Sequence, residues 1–124
     1  MTPELLYKRL FAFAQKCQQL INKLPKTAYN SEYGRQLIRS SSSPGANYIE
    51  AIEASSRKDF THRLKICRKE AKESIHWLML IQSANKTIAE IQKESIELIK
   101  EAQEFIRIFT SSILTSEKNR GINK

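Results

Sequence analysis

Residues 56–85 read SRKDFTHRLKICRKEAKESIHWLMLIQSAN, and this stretch decides the fold. Phe60, Leu64, Cys67, Ala71, Ser74, Leu78 and Ile81 recur at alternating steps of four and three, which places them on one face of a helix and leaves charged residues on the other. Ser56 followed by Asp59 has the outline of a capping box, with Asp in place of Glu as the returning carboxylate, and Ser83-Ala84-Asn85 marks the stop. The segment is therefore a long amphipathic helix that buries a seven-residue repeat against other helices. On a wheel turning about 100° per residue with Leu64 at the origin, Ile66, Trp77 and Leu80 fall at roughly 160 to 220°, opposite that seam. Apolar side chains so placed call for a second copy of the chain, and Ile66, Trp77 and Leu80 are the expected oligomer interface.

The pattern repeats on both sides. Upstream, Leu6, Leu10, Phe13, Cys17, Leu20 and Leu24 form a first helix, opened by Thr2-Pro3 and closed by Pro25. Downstream, Ile88, Ile91, Ser95, Leu98, Ala102, Phe105, Phe109 and Ser112 form a fourth, after which the chain turns polar. The second helix is expected to start near Asn30 or Ser31 and to end near Ser55. Within it, Ser40-Ser41-Ser42-Ser43-Pro44-Gly45 reads alone as a loop. Two short helices would satisfy it. So would one helix kinked where Pro44 lacks the amide for the Ser40 carbonyl, and the in-phase seam of Leu37, Ser41, Pro44, Tyr48 and Ala51 favours that single helix. The expected architecture is all-α: an antiparallel up-down four-helix bundle over residues 1–116, with 117–124 as a polar, frayed tail. Leu5, Phe11 and Ile21 on the first helix, and Ile96, Ile99, Ile106 and Ile113 on the fourth, widen the apolar stripes beyond a narrow seam.

Composition agrees. The chain has 124 residues, 40% hydrophobic and 27% charged, enough for one core, while three Gly and three Pro are too few for a sandwich or barrel of many short strands. No basic region followed by an apolar core opens the sequence, so a cytoplasmic location is expected, and no apolar run approaches the roughly 20 residues that span a bilayer. Cys17 and Cys67 have no metal-ligand spacing and read as core packing.

Lys and Arg outnumber Asp and Glu by 21 to 13, a net charge of +8. By segment the charge is +3 for residues 1–55, +4 for 56–84, −1 for 85–116 and +2 for 117–124, so the third helix is the basic element. Lys58, Lys65, Lys69, Lys72 and His76 gather in one sector of its wheel, as a row that follows a phosphate backbone would. The alternative is a solvated face in which Lys69 pairs with Glu73 at i,i+4. Arg63 and Arg68 divide between nucleic-acid contacts and internal pairing with a structural polar cluster, Asn47, Glu50 and Glu53, on the second helix. No aromatic platform for single strands accompanies these residues, so contacts would go to the backbone.

Catalytic constellations do not assemble. Glu73-Ser74-Ile75-His76 has the Glu-x-x-His spacing of di-metal bundle sites, but the second such motif is missing, and His62, the other histidine, is about 21 Å along the same helix. With no nucleophile elbow, phosphate loop or zinc cluster, the sequence points to a protein without enzymatic activity, metal or cofactor.

The run Gly45-Ala46-Asn47-Tyr48-Ile49-Glu50-Ala51-Ile52-Glu53-Ala54, then Lys58-Asp59-Phe60 and Arg63 through Ser74, resembles the bacterial four-helix-bundle proteins encoded in 23S rRNA intervening sequences. The resemblance covers most of the chain, and Pro44 departs from the residue many members carry before the glycine. It implies an antiparallel four-helix bundle assembled as a homopentamer, without implying a constitutive ribosome subunit. A structurally similar protein, the accessory variability determinant of diversity-generating retroelements, is a basic pentamer that associates with a reverse transcriptase and nucleic acid; that likeness is one of fold, which does not by itself transmit function. The expectation is a non-enzymatic homo-oligomer binding RNA or DNA through Lys58, Lys65, Lys69, Lys72, Arg63 and Arg68, with a protein-binding scaffold as the alternative.

Overall fold

The structure, a computed structural model, describes the backbone of residues 1–122 and the side chains of residues 1–119. Four helices follow one another: α1 (Pro3–Asn22), α2 (Ala28–Ile52), α3 (Arg57–Ala84) and α4 (Ala89–Ile122). Each of the first three starts at a hydroxyl cap. The side chains of Thr2, Thr27 and Ser56 accept from the backbone N–H of Leu5, Asn30 and Asp59 respectively, satisfying one unpaired amide of each first turn. The second helix thus starts earlier than Asn30 suggests, because Thr27 occupies the cap, and it ends at Ile52 rather than near Ser55. At Ser56 only half of the capping box forms: the Asp59 carboxylate accepts from the Ser55 hydroxyl instead of returning to the cap.

The serine-rich segment is helical. α2 runs without interruption through Ser40 to Gly45, with Pro44 inside it, so the loop reading of that stretch does not hold. The reason lies in packing. Ser40, Ser41 and Pro44 are buried, the Ser40 and Ser74 hydroxyls are hydrogen-bonded at 2.9 Å across α2 and α3, and the Cys67 thiol donates to the Pro44 carbonyl at 3.4 Å. Small side chains that read as turn formers in isolation here let two helices approach closely and share polar contacts. Gly34 does the same toward α1, where a Cβ would stand 3.0 Å from an Ile21 methyl.

The helices form a ring in which α1 touches α2 and α4, α3 touches α2 and α4, and the diagonal pairs stay apart. Cross-helix partners run in opposite numerical senses: Asn30, Ser40 and Asn47 of α2 meet Asn85, Ser74 and Arg63, while Thr61 and Arg68 of α3 meet Ser116 and Thr110. The core contains the seams read from sequence, including Leu10, Phe13, Leu37, Leu64, Leu78, Phe105 and Phe109, with Phe13 edge-on to Phe105 at 5.5 Å. α4 continues to Ile122, past the point where its composition turns polar. Ser116 is buried against Thr61 and Glu117 reaches Lys65, so part of the segment expected to fray is helix; residues 123 and 124 lie outside the described residues.

One end of the bundle is closed by a buried amide pair. Asn30 donates to Asn85 at 3.0 Å and Asn85 returns the bond at 2.9 Å, while each also donates to a backbone carbonyl, Pro25 and Ile81 respectively. Gln92 donates to the carbonyls of Gln82 and Asn85, satisfying the last turn of α3. Asn85→Ala removes the partner of the Asn30 side-chain oxygen and of one of its N–H groups, and the side-chain donor to the Ile81 carbonyl, and should lower unfolding free energy by about 1–3 kcal/mol in urea titrations.

Both thiols are buried, and desolvation pushes Cys17 and Cys67 up to about 12 from an ordinary value of 9.0. The unfolded chain loses these protons first as pH rises, so the stabilising contribution is intact below pH 9 and disappears progressively from pH 9 to 12. At pH 8, disulfide reagents should label the native protein no faster than it unfolds, and both cysteines should react at once in denaturant.

Candidate nucleic-acid interface

The side of α3 that faces away from the core is a single ridge. Lys58, His62, Lys65, Lys69, Lys72 and His76 are all exposed and follow one another at steps of four and three. Over eighteen residues that ridge is about 27 Å long. The buried set of α3, which includes Thr61 and Ile81 as well as Leu64, is centred to one side of Leu64. The direction opposite the core therefore lies about 35° from the one that a wheel zeroed on Leu64 gives. The face opposite the core is dominated by the lysines; Ile66 and Trp77 lie on its flank, Leu80 lies within it, and all three are half-buried. Trp77 packs within its own chain: its ring centroid is 6.3 Å from that of Tyr33 on α2 and 4.8 Å from that of His76, and its indole N–H donates to Glu73. The indole is thus partly sheltered within its own chain.

The acids of α3 are turned from the ridge by α2. Arg39 pairs with Glu70 at 3.2 Å and also with Glu73, so the Lys69–Glu73 pair that a solvated helix would make does not form. Among the described residues, Lys58, Lys69 and Lys72 enter no ion pair, and Lys65 reaches Glu117 at 3.3 Å with both side chains about half exposed. Such a contact is weak and screened by salt.

The two arginines are held on opposite flanks of the ridge. Arg63 donates to the Asn47 side-chain oxygen at 3.1 Å, and Asn47 in turn donates to the Ser43 carbonyl and hydroxyl, so this part of the polar cluster forms. Arg68 donates to Thr110 on α4 at 3.3 Å and does not reach the cluster. Glu50 and Glu53 are exposed and make no ion pair with either arginine, because α2 ends at Ile52 and leaves both beside solvent. They border a shallow polar recess with Asp59, His62 and Arg63. No group of three or more His, Cys, Asp or Glu among the described residues could hold a metal ion, and no described helix is long and apolar enough to cross a membrane.

The sequence from residue 5 to residue 111, which takes in α1 to α3, the whole ridge and most of α4, matches the family described as 23S rRNA-intervening sequence protein. The chain belongs to that family. No curated protein matches it. Among solved structures it is similar, at 27% identity and a TM-score of 0.79, to a protein of unknown function from the S23 ribosomal protein family of Bacteroides thetaiotaomicron, with 91% of this chain and 98% of that one covered.

The fourth helix holds what the residue reading missed. Its near-neutral total conceals a division into two rows. Glu90, Glu94 and Glu101 face α1, where Lys23 binds the first two at 2.9 and 2.8 Å and Arg9 binds the third at 2.6 Å. Those bonds raise the Lys23 and Arg9 pKa values and lower that of Glu90. Lys93, Lys100 and Arg107 are exposed on the outer side. Their seven-residue spacing is the signal that would have revealed them; a net charge summed over the segment averages it away.

Proposed function

We propose that this member of the 23S rRNA-intervening sequence protein family is a non-enzymatic, cytoplasmic homo-oligomer that binds RNA or DNA through the α3 ridge. The observation that carries this reading is the row of Lys58, Lys65, Lys69 and Lys72, in which the grip of Arg39 on Glu70 and Glu73 keeps the neighbouring acids from compensating Lys69 and Lys72. Lysines of this kind neutralise phosphates and release counterions without reading bases. Arg63 and Arg68, tied to Asn47 and Thr110, brace the flanks and add charge. If the family's five-fold assembly is adopted here, five copies at +8 bring +40 into one particle and deepen the attractive field.

Self-association is better served by the α1–α2 face than by Ile66, Trp77 and Leu80. Leu5, Phe11, Ile49 and Ile52 are each 47–53% exposed there. Between them Ala14, Ser42, Gly45 and Ala46 line a shallow groove of about 300 Å³. This face lies across the ring from α3–α4, so an assembly built on it keeps the ridge open. A protein-binding scaffold is the second reading, favoured by the same apolar face.

A salt-dependent filter-binding titration with rRNA-derived fragments tests the nucleic-acid reading. Retention at low salt should weaken steeply as salt rises, and Lys65→Ala/Lys69→Ala/Lys72→Ala should make the log–log slope shallower by about 3. No retention at low salt leaves the scaffold reading in its place. Sedimentation tests the assembly: Phe11→Glu/Ile49→Glu should shift the protein to monomer with helicity intact, while Trp77→Glu should lower stability by disrupting the Tyr33 contact.

A further inference from the structure

The rows on α3 and α4 are matched in period. Lys58, Lys65 and Lys72 recur every seven residues on α3, and Lys93, Lys100 and Arg107 do so on α4, so each set forms a line with a repeat of about 10.5 Å. The two helices pack side by side, with Arg68 bonded to Thr110 and Lys65 to Glu117 between them. The rows therefore border one face of the bundle. Lys93 and Lys100 enter no ion pair among the described residues and Arg107 shares only Glu104, within its own helix; α1 holds Glu90, Glu94 and Glu101, so Glu97, exposed one turn from both lysines, is the acid of α4 left beside the row, which keeps a net positive charge.

Resting on the nucleic-acid reading above, we propose that the α3–α4 face takes double-stranded nucleic acid, held through both phosphate backbones at once. Three observations favour a duplex over a single strand. Packed helix axes lie about 8–10 Å apart and the two cation rows project outward from them, so a lone strand following one row leaves the other unused. A duplex carries one charge per about 1.7 Å of axis, twice the density of a strand, and delivers more phosphates to two rows of fixed length. Exposed Phe and Tyr side chains, Phe11 and Tyr29, sit on α1 and at the start of α2; the rings on this face are the imidazoles of His62 and His76, about 21 Å apart along α3, too far apart to form a continuous stacking platform for successive unpaired bases. With lysine as the dominant contact residue, binding follows the backbone and is indifferent to sequence.

Fluorescence anisotropy with the full chain tests this, using a labelled 20-base-pair RNA duplex, a DNA duplex of the same sequence and the corresponding single strands at several salt concentrations. Both duplexes should bind at least tenfold tighter than their strands at equal salt. Lys93→Ala/Lys100→Ala, checked for unchanged helicity, should weaken duplex binding about tenfold and make the salt slope shallower by about 2, with single-strand binding changed less. Equal affinity for strand and duplex overturns the proposal. So does a Lys93/Lys100 variant that binds duplex like the parent while Lys69→Ala/Lys72→Ala does not; that result leaves the α3 ridge as a one-row site and the broader function standing. Absence of binding to every probe at low salt removes the broader function as well.

Discussion

The close approach of α2 to α3 is the constraint on which the other features rest. Ser40 against Ser74, and the Pro44 carbonyl against the Cys67 thiol, bring the two helices together through side chains too small to hold them apart. Buried hydroxyls in such a contact are acceptable only because each finds a partner, since an unpaired one costs about 1–3 kcal/mol. Proximity then allows Arg39, one turn outside the seam, to reach across to Glu70 and Glu73. A packing decision in the interior in this way sets the charge pattern of the surface.

That surface is divided by the ring of helices. Carboxylates concentrate where α4 meets α1 and are neutralised by Lys23 and Arg9. Cations line the outer sides of α3 and α4, and Leu5, Phe11, Ile49 and Ile52 are exposed together on α1 and α2, while Met79, Ile96 and Leu114 are exposed singly on α3 and α4. A bundle in which backbones approach closely only between neighbours separates the α1–α2 surface from the α3–α4 surface. The proposed assembly and the proposed polyanion site therefore fall on different surfaces and do not compete.

The histidines and thiols, side chains capable of chemistry, are absorbed by the same geometry. His62 and His76 are members of the exposed ridge rather than ligands facing each other, and Cys17 and Cys67 are sealed in the core with their thiolates disfavoured. The polar cluster beyond Pro44 resolves into one bond, Asn47 to Arg63, with Glu50 and Glu53 left to solvent.

Helix number, the buried seams and the lysine ridge were legible in the sequence, because a helix repeats every 3.6 residues and burial selects the same side of it each time. Leu6 to Leu20, Leu64 to Ile81 and Ile91 to Phe109 all lie where that periodicity puts them. Family membership was legible as well, in residues 45–74. Periodicity gives the direction of a side chain about its own axis but not what stands opposite. For that reason only the tertiary structure could move Trp77 from an outer face to the shelter of Tyr33, give Glu73 to Arg39 instead of Lys69, and turn a run of serines into a helix contact. Those outcomes depend on neighbours dozens of residues away, and a local pattern carries no information about them.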